Sequence, residues 1–83
     1  MSYTVVWRPA AEQGLARAWL GAADRNAVTA VAAAVEAALA RDPFGQGESR
    51  GGTARLLIEE PLAVLFEVVE DDRRVYVLKV WLA

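Results

Sequence analysis

The segment Thr53–Leu82, TARLLIEEPLAVLFEVVEDDRRVYVLKVWL, decides the fold of this chain. It contains runs rich in β-branched and long apolar residues at Thr53–Glu59, Leu62–Val69 and Arg74–Leu82. The linkers between these runs, Glu60-Pro61 and Glu70–Arg73, are too short for a parallel crossover, which needs about a dozen residues or more. The segment therefore predicts an antiparallel meander of three strands.

The chain before the meander predicts one strand and a first helix. Ser2–Trp7 is too short for a helix and predicts a strand, either at an edge of the sheet or inserted beside the meander. Pro9 suits the first position of a helix, where no amide donor is needed. We expect this helix to end near Gly21–Ala23. Gly14 lies inside it and indicates that another element approaches closely, since glycine otherwise weakens a helix.

A second helix is predicted at Arg25–Arg41, with Asp24 as its N-cap. Apolar side chains cover more than half of its circumference, so we expect one side to pack on the sheet and the other on the first helix. The following segment, Phe44–Gly52, is rich in glycine and is predicted to be a loop. It has none of the glycine patterns that bind nucleotide phosphates.

These elements predict a single α+β domain over residues 1–83, in the order β-α-α-β-β-β. A helical hairpin packs on one face of a small, mainly antiparallel sheet, and the other face stays open.

Composition excludes several kinds of chemistry. The chain has no cysteine and no histidine, which rules out disulfides, thiolate zinc sites and histidine-based acid–base catalysis. We therefore expect no metal and no cofactor. The net charge of −2 argues against sequence-blind binding to nucleic acid, which needs many neutralised phosphates. The sequence shows neither a membrane span nor a signal peptide, so we expect a cytoplasmic protein with no membrane partner.

Pairing through the two short linkers predicts which side chains share a face of the sheet. One face is predicted to carry two cations and two aromatic residues: Arg55, Leu57, Val64, Phe66, Val77, Lys79 and Trp81. The other is predicted to be apolar and to lie under the helices: Leu56, Ile58, Ala63, Leu65, Leu78 and Val80. A bulge of one residue would exchange these faces locally. The mixed face suits a macromolecular partner, although its charges could also be merely solvated.

The chain resembles the RelE/ParE superfamily of type II toxins, also called plasmid stabilisation proteins. The resemblance lies in four segments, in this order: VVWRPAAEQGLARAW, SRGGTARLL, PLAVLFEV and VYVLKVW. It implies the fold predicted above and an antitoxin that wraps the toxin. It also implies a target, which is messenger RNA on the ribosome for RelE-like members and DNA gyrase for ParE-like members.

Several positions depart from the pattern of the RNA-cleaving members. Ala63 stands where those members carry an arginine, and Leu57 where they carry a lysine. Phe66 stands where a tyrosine is common, and Leu82 where many relatives have a histidine. Arg55 and Lys79 match basic positions of the family, and Arg50 is a further nearby cation. RNA cleavage needs proton transfer and several cations around the phosphate, so a catalytic set of Arg50, Arg55 and Lys79 is a weak one.

The sequence thus predicts a toxin that binds its target and is neutralised by a cognate antitoxin. The residues predicted to bind the target or antitoxin are Arg50, Arg55, Phe66, Lys79 and Trp81. Two alternatives stay open: a ribosome-dependent endoribonuclease with a reduced site, and a non-toxic relative that serves as an interaction module. Trp81 and Leu82 could also support a homodimer through an exposed strand edge.

Overall fold

A computed structural model describes residues 2–83. Its helices are α1 (Pro9–Gly21) and α2 (Arg25–Arg41), and a short 3-10 turn follows at Pro43–Gly45. Its strands are β1 (Thr4–Trp7), β2 (Glu48–Ser49), β3 (Ala54–Glu59), β4 (Leu62–Val69) and β5 (Arg74–Leu82). The α+β class and the predicted order of elements are confirmed. The short strand β2 was not predicted and lies within the segment expected to be a loop.

The sheet has the order β1-β5-β4-β3-β2. β3, β4 and β5 form the predicted antiparallel meander, and β2 extends it along β3. β1 is an edge strand and pairs in parallel with β5. The connection between these parallel strands runs through both helices and through β2, β3 and β4, and so far exceeds the dozen residues that a parallel pair requires. The position of β1, which the sequence left open, is therefore at the edge.

A glycine sets the distance between α1 and the sheet. A Cβ atom built on Gly14 would overlap the backbone carbonyl oxygen of Val80 in β5. The missing side chain lets the helix backbone rest directly on the strand. The close approach that Gly14 indicated is thus a contact with β5.

Polar contacts close the turn between the helices. The Asp24 carboxylate accepts a hydrogen bond from the backbone N–H of Ala27 at 3.1 Å and caps α2 as predicted. The Arg25 guanidinium donates to the carbonyl oxygens of Trp19 and Leu20, at 3.1 and 3.2 Å. These carbonyls belong to the last turn of α1, where they have no partner within the helix. The hairpin therefore has a fixed geometry.

The core lies between the helices and one face of the sheet. On β4, alternate residues are buried, and the largest of them, Phe66, is 0% exposed. The helices contribute small and branched side chains to the same cluster. Its members are Ala11, Ala18, Val28, Val35, Leu39, Leu62, Val64, Phe66, Val68, Val75, Val77 and Val80.

A bulge in β5 changes the predicted register. Phe66 pairs with Val77 as predicted, but Leu65 pairs with Lys79, which leaves Leu78 as an extra residue in β5. Beyond this point Val64 pairs with Val80, and not with Lys79 as predicted. By the same shift Leu62 pairs with Leu82, and not with Trp81. The predicted pairs between β3 and β4, Arg55 with Phe66 and Leu57 with Val64, are confirmed.

The predicted assignment of faces was therefore wrong over most of the sheet. The face under the helices is the one with Val64, Phe66 and Val77, which are fully buried in the core. The apolar set expected there lies on the opposite side, apart from Val80, which the bulge returns to the core. The bulge also moves Lys79 and Trp81 away from the helices.

The two helices do not cover each other as expected. α2 buries Val28, Val35 and Leu39 towards the sheet, whereas Ala33 and Ala37 remain exposed. Its second apolar side lines an open groove between the helices. No helix within residues 2–83 is long and apolar enough to cross a membrane.

Replacing Gly14 by alanine should destabilise the fold. Helix propensity alone predicts a gain of about 1 kcal/mol. The added methyl group would instead collide with backbone at Val80, and overpacking of this kind costs about 1–3 kcal/mol. We expect a net loss in the free energy of unfolding, measured by urea denaturation.

Gly21→Ala is the matched control, since its Cβ would meet only the Leu82 side chain at an ordinary 3.7 Å. We expect the stability of this variant to stay within about 1 kcal/mol of the parent. Equal stability of the two variants would show that α1 does not rest on β5 at Gly14.

Candidate interface on the open sheet face

The face of the sheet turned away from the helices is called the open face here. The pairing of the strands, together with the alternation of side chains along each strand, shows which residues lie on this face. At least one side chain comes from each of β1, β3, β4 and β5. Its main residues are Val6, Leu56, Ile58, Ala63, Leu65, Glu67, Arg74, Tyr76, Lys79 and Trp81. Because both helices pack on the other side, this face is free to meet a partner.

An apolar row crosses the open face at one end. Ile58, Ala63 and Trp81 are paired neighbours on β3, β4 and β5. Ile58 is 58% exposed and Trp81 is 43% exposed, while Ala63 between them is only 1% exposed. Two large side chains thus rise on either side of a small one. Exposed apolar groups clustered in this way are typical of interaction surfaces.

Cations lie beside this row and towards β1. Lys79 is exposed and pairs with Leu65 in the adjacent row. The Arg8 guanidinium lies over the Tyr76 ring, 4.6 Å from its centroid, in a cation–π contact. Hydrogen bonding with the Tyr76 side chain raises the pKa of Arg74 above the ordinary value of a guanidinium. The cations therefore stand next to aromatic rings.

None of these cations takes part in an ion pair among the described residues. Within residues 2–83 the ion pairs are Arg50 with Glu48 and Arg73 with Glu70. The one carboxylate near the middle of the open face, Glu67, accepts a hydrogen bond from the Thr53 hydroxyl at 2.5 Å. Arg8, Arg74 and Lys79 therefore lie on or beside this face outside the ion pairs of the described residues.

The Arg55 guanidinium is engaged in hydrogen bonds within the protein. It donates hydrogen bonds to the carbonyl oxygens of Gln46 (3.1 Å), Phe44 (3.2 Å) and Gly47 (3.1 Å). Its partner in β4 is Phe66, so it lies on the helix side of the sheet. Arg55 thereby holds the segment that leads into β2.

The other predicted site residues are spread over the molecule. Phe66 is fully buried in the core and cannot present its side chain to a partner, which corrects its assignment to an exposed face. Arg50 is exposed beside the edge strand β2, with its guanidinium 3.6 Å from the Glu48 carboxylate. Only Lys79 and Trp81 lie together on the open face.

The predicted catalytic set does not converge. Arg55 and Lys79 point to opposite sides of the sheet, and Arg50 lies at the β2 edge. A phosphate undergoing cleavage needs its cations around one point. Arg50, Arg55 and Lys79 therefore do not surround one point.

Sequence reasoning missed Ile58, Tyr76, Arg8 and Arg74. Placing Val77 on the exposed face hid Tyr76 and Arg74, because neighbours in a strand alternate. Once Val75 and Val77 are assigned to the core by their bulk and apolarity, Arg74 and Tyr76 follow. Arg8 carried no such signal, since its contact with Tyr76 joins distant parts of the chain.

No family model matches the chain, and no curated protein sequence matches it either. Solved structures do match, over almost the whole chain. A chain of the RelBE2 toxin–antitoxin complex from Mycobacterium tuberculosis aligns with a TM-score of 0.79 at 17% identity, covering 100% of both chains. A chain of the chromosomal ParDE system from P. aeruginosa gives 0.75 at 18% identity, covering 98% of this chain and 96% of the other.

The isolated RelE toxin from E. coli gives a TM-score of 0.66 at 14% identity, covering 98% of this chain and 84% of the toxin. The chain therefore has the RelE/ParE fold, as the sequence resemblance implied. At these identities the correspondence concerns the fold.

Replacing Arg55 should loosen the segment before β2. Arg55→Met keeps the aliphatic part of the side chain but leaves three carbonyl oxygens without their donor. We expect the free energy of unfolding to fall by about 1–3 kcal/mol, as for hydrogen bonds with a charged donor. Hydrogen exchange at residues 44–50 should speed up in parallel.

Arg50→Met serves as the control, because an exposed ion pair contributes only about 0–1 kcal/mol. If Arg55→Met were as stable as Arg50→Met, Arg55 would be free for a binding role.

Proposed function

We propose that this protein is the toxin component of a type II toxin–antitoxin system. The observation that supports the proposal is the correspondence of fold over the whole chain with structures of RelE and ParE toxins. The compared complexes contain toxin and antitoxin, which supports a cognate antitoxin as the partner of this chain.

We further propose that the toxin acts by binding a macromolecule through the open face. This face combines the exposed apolar row around Ala63 with Lys79, Arg74 and Tyr76. Aromatic and cationic residues of this kind dominate the energetics of interfaces. A gyrase-type target or a component of the translation machinery would both meet this surface. The open face alone does not discriminate between them.

The alternative of a ribosome-dependent endoribonuclease receives less support. It would need Arg50, Arg55 and Lys79 around one phosphate, and the fold separates them. The other alternative, a non-toxic interaction module, would keep the antitoxin contacts and lose the target. Expression in cells separates these possibilities.

Expression of the protein alone should arrest growth, and co-expression with the product of the neighbouring small gene should relieve it. Lys79→Glu and Trp81→Ala should each weaken target binding by roughly thirtyfold, since interface anchors are worth about 2 kcal/mol. Colony counts after induction would measure the loss of toxicity.

Arg17→Glu makes the same change of charge on α1 and should stay toxic, provided that all variants remain folded. If both open-face variants were fully toxic, the open face would not be the surface that binds the target. A harmless parent that still binds its neighbour would establish the interaction module. A harmless parent that binds nothing would end the toxin proposal.

Messenger RNA from expressing cells should carry no cuts at codon-spaced positions. This result follows from the separation of Arg55 and Lys79 on opposite faces. Primer extension on an abundant transcript checks it. Codon-spaced cuts that vanish in Lys79→Glu would instead establish the endoribonuclease.

A further inference from the structure

A groove of about 860 Å³ runs between α1 and α2, on the opposite side of the sheet from the open face. Its walls are mostly apolar, with Leu15 and Trp19 on α1 and Val28 and Ala32 on α2. Sites for small organic molecules have volumes of roughly 300–1,000 Å³, apolar and aromatic walls, and a few polar groups. The groove therefore has the size and the lining of a small-molecule site.

One end of the groove is acidic. The helices form a hairpin, so the start of α1 lies beside the end of α2. Glu12, in the first turn of α1, and Glu36, near the end of α2, both line the groove there. Trp7 precedes α1 and belongs to the same end, since its indole N–H donates a hydrogen bond to the Glu36 carboxylate at 2.6 Å. Two carboxylates and an aromatic ring thus define this acidic end.

The other end of the groove, at the turn between the helices, is apolar. Trp19 and Leu20 on α1 and Val28 on α2 line it, and Leu20 is 63% exposed. Among the described residues, none that lines the groove is a lysine or an arginine. Arg25, at the same turn, lies over the Trp19 ring and donates to carbonyl oxygens of α1. This apolar end therefore offers surface for a hydrocarbon chain.

We propose that the groove binds an amphiphilic organic cation, which is an ammonium or quaternary ammonium group carrying one hydrocarbon chain. The ammonium group lies at the acidic end against Glu12, Glu36 and the Trp7 ring, because carboxylates and indole faces both attract a cation. The chain extends along α1 to the apolar end. Glu12 and Trp19 are seven residues apart on this helix, which corresponds to about 10 Å, or about eight methylene groups.

The acidic end is formed in advance of any ligand. The hydrogen bond from Trp7 to Glu36 ties α2 to β1, and Arg25 holds the last turn of α1. Binding to a surface formed in advance avoids the cost of ordering it. Binding of this kind goes beyond the proposed function, because it concerns the side of the molecule opposite the open face and requires neither toxicity nor an antitoxin.

Three probes with the same octyl chain test the preference for charge: octyltrimethylammonium, octyl glucoside and octanoate. Titration calorimetry and tryptophan fluorescence measure their binding to the whole protein, at concentrations below those at which the probes form micelles. We expect the ammonium probe to bind about tenfold more tightly than the uncharged glucoside, from its contacts with the carboxylates and the indole. Octanoate should bind more weakly than the glucoside, because its charge is repelled at the acidic end.

A series of chain lengths tests the fit to the groove. From butyl to octyl, the affinity of alkyltrimethylammonium ions should rise by about two- to fourfold for each added methylene group, as expected for burial of apolar surface. Beyond decyl the affinity should level off, because further carbons pass the apolar end and stay in water. Unspecific adsorption would instead continue to strengthen with chain length.

Three variants place the ligand in the groove. Glu12→Gln and Glu36→Gln each remove one charge while keeping the shape of the side chain, and should each weaken octyltrimethylammonium by about three- to tenfold. Ala33→Trp fills the groove from an exposed position on α2 and should weaken it by roughly tenfold or more. Glu59→Gln makes the same change of charge on β3, outside the groove, and is the control that should leave the affinity unchanged.

Equal affinities for octyltrimethylammonium and octanoate would overturn the proposal. An equal loss in Glu59→Gln and Glu12→Gln would reduce the effect to net charge and do the same, as would an affinity that keeps rising beyond decyl. A dimer of the free protein that octyltrimethylammonium converts to monomers, seen by size-exclusion chromatography with light scattering, would make a second copy the occupant of the groove and also overturn it. Circular dichroism verifies that every variant is folded.

Discussion

The burial of Phe66 and its neighbours beneath the helices is the constraint on which the rest of the structure depends. A chain of 83 residues has room for one small core, and Leu62, Val64, Phe66 and Val68 of β4 all point into it. The bulge at Leu78 lets both Val77 and Val80 of β5 face the core, although these residues are three positions apart and would otherwise lie on opposite faces. The same bulge sends Lys79 to the open face. One irregularity therefore serves both the core and the candidate interface.

The molecule has two unlike surfaces separated by its sheet. The open face presents Lys79, Arg74 and aromatic rings, whereas the groove between the helices presents apolar walls and the carboxylates of Glu12 and Glu36. A net charge of −2 conceals this separation, because it sums over both sides.

Arg55 has a structural role in the segment before β2. Its guanidinium closes the segment before β2 by three hydrogen bonds, which leaves few donors for a ligand. The chain has the fold of the compared structures, and its Arg50, Arg55 and Lys79 do not lie around one point.

The sequence by itself determined the helices, the meander and the absence of histidine and cysteine chemistry. Local signals were enough for these, such as Pro9 and Asp24 at helix starts and the short linkers between apolar runs. Only the tertiary structure decided the bulge, the faces of β5, the edge position of β1 and the open groove. A bulge inserts one residue into a strand, and packing against distant residues decides where it forms. The alternation of apolar and polar residues along the sequence therefore cannot reveal it. The same packing placed Arg55 and Phe66 on the helix side of the sheet.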